Sequence, residues 1–200
     1  MRTLNQNLDY QTIDEMLNLL DEPNGSICKR ILADHRDLFE KAHGSTHNHQ
    51  TWEGGYIDHI TDAMNYTRHL YVFDGAFGRP LPFSLSDALL VIFLHDLEKP
   101  WRILVQNGQV SNRKGLATKE EFKKFREDKL TEYGLVLTPD QLNAFTYVEG
   151  EYKEYSSTHR VMNELAAFCH KVDTWSARGW FDYPKAEGDE WTGAGRFRSN

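Results

Sequence analysis

Cysteine is almost missing from this chain: Cys28 and Cys169 are the only two among 200 residues. Two thiols make no disulfide framework, and Cys169, inside a strongly apolar helical stretch, reads as a reduced core residue. Long hydrophobic runs are missing as well. The longest is the seven residues Ala88 to Leu94, far short of the roughly 20 that a membrane-spanning helix needs. The first residues, MRTLNQNLDYQ, carry neither an apolar signal segment nor transit-peptide character, so the expected compartment is the cytoplasm. Positive charge is in deficit, with 23 Lys and Arg against 30 Asp and Glu and a net charge of −7. That argues against a nucleic-acid-binding face as the main purpose. There is no internal repeat, no low-complexity tract and no convincing set of strands.

What remains is an ordinary globular composition, 40% hydrophobic and 26% charged, in a length that suits one domain. The spacing predicts helices almost throughout. Ile13, Met16, Leu17 and Leu20 form a first stripe, ended by Pro23-Asn24-Gly25. Ile27, Ile31, Leu38 and Phe39 form a second, on a helix from about Ser26 to Ala42. After the polar loop GSTHNHQTWEGG, Gly55 to about Asp74 carries two adjacent apolar stripes, and His59 lies on one of them. Asn107-Gly108 marks either a short hairpin or a loop. Thr118-Lys119-Glu120-Glu121 opens a charged surface helix as a capping box, and Thr138-Pro139 opens another with Pro at its first position. A last strong helix is expected from about Ser157 to Arg178, and the tail beyond it has no helical period.

The centre of this pattern is LSDALLVIFLHDLEKPW, residues 85–101. Apolar on every side, it reads as a buried helix, with Ser86 as its cap and Pro100 as its stop. It ends on His95-Asp96, and buried charge is costly unless it is paired or bound to a metal. His59, His95, Asp96 and Asp173 lie on three separate buried helices. Two imidazoles and two carboxylates suit Mn, Fe, Co, Ni or Zn, with Mg also compatible, rather than Ca or a thiolate-selective ion. Such a set leaves coordination positions open for water and substrate. Any one buried His or Asp is more often a hydrogen-bonded core residue than a ligand; the reading rests on the four taken together.

In this order and on these helices, GGYIDHITDA with His59, LLVIFLHDLEK with His95-Asp96, and FCHKVDTWSAR with Asp173 resemble the HD-domain superfamily of metal-dependent phosphohydrolases. The resemblance covers roughly residues 45 to 180. It implies an all-α, single-domain HD-type helical bundle of about seven helices. Residues 1–44 would pack on a core spanning 45–180, and 181–200 would form an irregular tail. It also implies one divalent transition-metal ion held by His59, His95, Asp96 and Asp173, and hydrolysis of a small phosphate ester, a nucleotide first among them, by activated water. Asp96, Glu98 and His49 are the candidate catalytic residues; Lys99, Arg102, His47 and Arg178 are the candidates for holding substrate. Many members read HDxGK, whereas Glu98 stands here where Gly is common. Glu98 could transfer a proton or merely pair with Lys99. Glu149 and Glu151 resemble the acidic pairs of some nucleotide-cleaving members, and Trp52, Tyr56 and Trp101 could stack on a base. No membrane partner is implied, nucleic acid is not expected, and a homodimer stays open.

Two alternatives share the fold. An HD-type di-iron oxygenase needs further histidines between the HD pair and the last Asp, where the chain offers only His159 and His170. A non-catalytic HD-fold binding protein would have no use for four intact ligands.

Overall fold

The computed structural model describes residues 9–46, 49–78 and 80–179. Its described residues are mostly helical, and they form a single all-α domain with one small hairpin. Seven helices exceed one turn: α1 (Ile13–Leu17), α2 (Asn24–Lys41), α3 (Gly55–Ala76), α4 (Leu85–Leu94), α6 (Lys119–Tyr133), α7 (Pro139–Tyr147) and α8 (Glu164–Gly179). A four-residue helix, α5 (Lys99–Arg102), follows α4. The hairpin is β1 (Ile103–Gln106) against β2 (Gln109–Asn112), antiparallel, with Val105 facing Val110. Asn107 and Gly108 both have positive φ, as a tight two-residue turn of this kind requires.

The bundle is built around α4. Every residue from Ala88 to Leu94 is buried, and α2, α3, α7 and α8 all pack on it. The cap is Ser84, two residues before the expected Ser86. Its hydroxyl accepts from the Asp87 amide at 3.0 Å while the Asp87 carboxylate reaches back to the Ser84 amide at 2.8 Å. Ser86 instead accepts from the Asp21 backbone amide at 2.8 Å. Pro100 does not stop the chain either; it falls in the first turn of α5, where its missing N–H leaves no bond unmade.

α1 and α2 add Ile13, Met16, Leu17, Cys28, Ile31, Leu32 and Phe39 to the same hydrophobic core as α4 and α8. α2 leaves helical geometry at His35, whose ring lies edge-on to Trp101 and bonds the Tyr133 hydroxyl at 2.9 Å. The last helix starts at Glu164, about seven residues later than its apolar pattern suggests. Ser156 explains the delay: its hydroxyl accepts from the Thr158 and His159 amides, a local bond that competes with helix. Asn163 then caps α8 by accepting from the Ala166 amide at 2.8 Å. The expected C-terminal tail lies outside the described residues. No described helix is long and apolar enough to cross a membrane.

Candidate metal centre

The approach to α3 decides where His59 sits. Gly54 has φ of 79°, open to glycine at little cost. Gly55 touches the Gln50 carbonyl so closely that a Cβ there would lie 2.0 Å from its oxygen. The Gly-Gly pair thus lets the loop fold onto the start of α3, and the Gln50 side-chain amide donates to the Ser176 carbonyl at 3.1 Å on α8. His59 follows one turn later, fully buried.

His95 is the C-cap of α4, and Asp96 comes next in the turn toward α5. Asp173 lies halfway along α8. One donor atom from each of His59, His95, Asp96 and Asp173 falls within 4.8 Å of all the others. The Asp96 Oδ2 is 3.1 Å from His95 Nε2 and 3.5 Å from His59 Nε2. The Asp173 Oδ1 is 3.2 Å from His59 Nε2 and 3.3 Å from His95 Nε2. The mutual packing of α3, α4 and α8 brings these atoms together, so a buried His/Asp cluster able to hold a metal ion is a feature of the fold.

Hydrogen bonding assigns the proton on both rings. His95 Nδ1 lies 2.7 Å from the Ile92 carbonyl, which only accepts, so Nδ1 carries the hydrogen. The Ser176 hydroxyl donates to Asp62 Oδ2 at 2.7 Å and must therefore accept from His59 Nδ1 at 3.2 Å. In the neutral rings both Nε2 lone pairs then face the cluster, and both atoms are buried without a hydrogen-bond partner. Lone pairs aimed at carboxylates need a cation between them. Without a metal ion that cation is a proton. Burial pulls His95 down, yet the Asp96 and Asp173 carboxylates beside it hold it well above the ordinary histidine range. Burial likewise pushes both carboxyls up, but His95 and Lys99 hold Asp96 far below the usual range, and His59 and His95 do the same for Asp173. Two carboxylates with one ammonium, Lys99, leave the cluster one negative charge when the imidazoles are neutral, a balance that suits a divalent cation.

The other candidates divide. His49 belongs here: its ring centroid is 5.4 Å from that of His59, and its buried Nε2 has no partner. Burial, with Lys99 and His59 adding to it, pushes its pKa down to about 3, so His49 is a neutral base at the cluster's edge. Lys99 also belongs, with its ammonium on Asp96. Glu98 takes arginines as its ion-pair partners, while Lys99 sits on Asp96. Glu98 is buried and pairs with Arg102 at 3.1 Å and with Arg126 at 3.7 Å. Burial and the neighbouring Asp96 raise its pKa. Arg102 is thereby committed to Glu98 and to the Phe122 ring, 4.4 Å from its guanidinium carbon. Arg178 is exposed and lines a separate cavity with Tyr66, His170 and Trp175. His47 lies outside the described residues.

His159 is exposed and bonds Ser156, while His170 bonds the Val148 carbonyl at 2.7 Å. Neither belongs to the ligand cluster, which is the only such group among the described residues. Glu149 lies 3.6 Å from Arg126, and Glu151 accepts from the Met162 amide. Trp52 donates to Asp58 at 2.9 Å, Tyr56 packs edge-on against Phe39, and Trp101 packs against Phe39 and Phe125. Packing and hydrogen bonding within the protein thus engage all three aromatics.

Sequence reasoning overlooked four contributors. Arg126 donates to the His95 carbonyl and lies between Glu98 and Glu149. Its signal was the stripe Phe122, Phe125, Lys129, Leu130, an inward face on a helix read as surface. Ser176 and Asp62 fix His59, and no local pattern marks them. Tyr152 has φ of 47° with the Lys119 ammonium 3.5 Å from its ring centre. Burial raises the Tyr152 phenol, and Glu149, Asp173 and Asp96 raise it further. Searches for a matching protein family, curated protein or solved structure found none.

Proposed function

We propose that the chain is a metal-dependent phosphohydrolase of the HD-domain kind, acting on a phosphate ester of a small molecule, with a nucleotide as the first candidate. The reading is carried by one observation: two buried imidazole nitrogens and two carboxylate oxygens converge within 4.8 Å, with both nitrogens presented as lone pairs. His59, His95, Asp96 and Asp173 would hold one ion of Mn, Fe, Co, Ni or Zn, or Mg. When bound, a divalent ion supplies positive charge to a phosphoryl oxygen and acidifies water. The chain's own groups do the rest. Lys99 keeps Asp96 ionised. Asp173, the most exposed ligand at 17% of its side chain, borders the open side of the cluster. His49, neutral and with its buried Nε2 free of a hydrogen-bond partner, would offer substrate or water a hydrogen-bond acceptor at the cluster's edge. Tyr56, fully buried, packs behind the cluster against Phe39.

The test pairs elemental analysis with phosphate release. Wild-type protein loaded in turn with Mn, Co, Ni, Zn, Fe and Mg should bind about one ion per chain and hydrolyse at least one member of a nucleotide and cyclic-nucleotide panel. Asp96→Ala should lose both while keeping its helical circular dichroism. Full metal content in Asp96→Ala, or a loaded enzyme inert toward the whole panel, would overturn the reading.

A further inference from the structure

We infer that Ser176 and Asp62 are positioning residues that set the His59 tautomer and so make His59 a metal ligand. The inference rests on the metal-binding reading above and deepens it. The three side chains form one chain across two helices. The Asp62 carboxylate on α3 accepts from the Ser176 hydroxyl on α8 at 2.7 Å, and that oxygen accepts from His59 Nδ1 at 3.2 Å. All three are essentially closed to solvent, at 5%, 1% and 0% exposure. A serine hydroxyl has one proton to give. With that proton spent on the 2.7 Å bond to Asp62, the serine oxygen is left as an acceptor, Nδ1 carries the hydrogen, and the Nε2 lone pair is aimed at Asp96 and Asp173. Outer partners of this kind orient a ligating imidazole and raise its basicity. The Gln50 amide holds the Ser176 carbonyl at 3.1 Å, which ties the same serine to the loop preceding α3.

His95 shows the alternative solution. Its Nδ1 is held by the carbonyl of Ile92, on its own helix, and no substitution can remove that partner. His59 has no such backbone partner, so its orientation depends on two replaceable side chains.

Asp62→Asn is the sharp variant because it keeps shape and volume. The amide can donate to the Ser176 oxygen, which frees the hydroxyl hydrogen for His59 Nδ1 and moves the ring proton to Nε2, where it blocks the metal. Asp62→Asn and Ser176→Ala should each weaken Co2+ and Zn2+ binding to the full-length protein by roughly 10- to 100-fold in competition titrations, with altered Co2+ visible absorption. In a His59→Ala background, Asp62→Asn should add no further loss. Wild-type affinity in both single variants would overturn the inference while leaving the metal reading intact. So would an equal loss on top of His59→Ala, which would mark a general structural effect. A wild-type protein that binds neither ion would bring down both readings together, and phosphate-release data bear on neither result.

Discussion

The two halves of the candidate centre are built by different means. His95 and Asp96 come from one end of α4, adjacent in sequence, and His95 is oriented by the carbonyl of its own helix. His59 and Asp173 come from α3 and α8, 114 positions apart, and His59 is oriented by side chains borrowed across the interface. The first half is rigid because a continuous apolar helix must be buried. The second is assembled only when α3, α4 and α8 have packed. A metal site of this kind needs stability from the one and precise side-chain chemistry from the other.

That contrast predicts separable failures. The largest stability effect should come from α4. Phe93 is fully buried, and Phe93→Ala should cost about 3–5 kcal/mol from lost burial and the cavity left behind. Chemical denaturation measures it, and the molecules that remain folded should still bind metal with wild-type affinity. A metal loss as severe as that of Asp62→Asn would show that the α4 half is not held by its backbone alone. Next comes Arg126→Ala, which strips Glu98 and the His95 carbonyl of a buried cationic partner. It should cost about 3 kcal/mol, the low end for a buried pair broken on one side. Adding Glu98→Gln should deepen the loss, since it takes from Arg102 the carboxylate it pairs with at 3.1 Å.

The cluster should also give the metal-free protein a distinctive pH profile. Asp96 and Asp173 are held low. Their contribution is present above the unfolded carboxylate value of about 4 and is lost as pH falls through the depressed folded values. His95 is held high. Its contribution is complete below the unfolded value of about 6.5 and is lost as pH rises toward the raised one. Metal-free protein should therefore be most stable between roughly pH 4 and 6.5. A bound ion replaces the proton, so the loss on the alkaline side should disappear in metal-loaded protein. Thermal melts with and without metal at pH 6 and 8 decide it, and an unchanged alkaline slope would count against the shared site.

The same division governed what could be read from the sequence. The apolar run Ala88–Leu94 ending in His95-Asp96 announces a buried helix with an unsolved charge, and His59 and Asp173 follow from helical period. Local signals also gave the capping box of Thr118 and the Thr138 cap, which the structure completes as a box with Gln141. The capping of α4 was misplaced because Ser84 and Ser86 both precede Asp87 plausibly, and only the contact between Ser86 and Asp21 separates them. The start of α8 was missed because a serine turn overrides helical preference. Ser176 and Asp62 carry no local signal, and Arg126 only that of its inward stripe, because each acts through a partner distant in sequence. The partners of Glu98 are hidden in the same way, since its arginines include one from α6.

α6 supplies the smallest prediction and the control for the others. The helix carries both kinds of charge on opposite faces. Arg126 points inward to Glu98, with 13% of its side chain exposed. Lys124, two residues earlier, lies outward, where it pairs with Asp128 at 3.0 Å with both side chains more than 60% exposed. Water and salt screen an exposed pair, and two mobile side chains lose entropy in making it, so Lys124→Ala should change stability by no more than about 0.5 kcal/mol. Its metal affinity should be that of wild type. Measured beside Arg126→Ala by the same denaturation experiment, the two substitutions remove the same formal charge from the same helix. A comparable loss at Lys124 would mean that α6 contributes through net charge, and the inward network beneath His95 would lose its special standing.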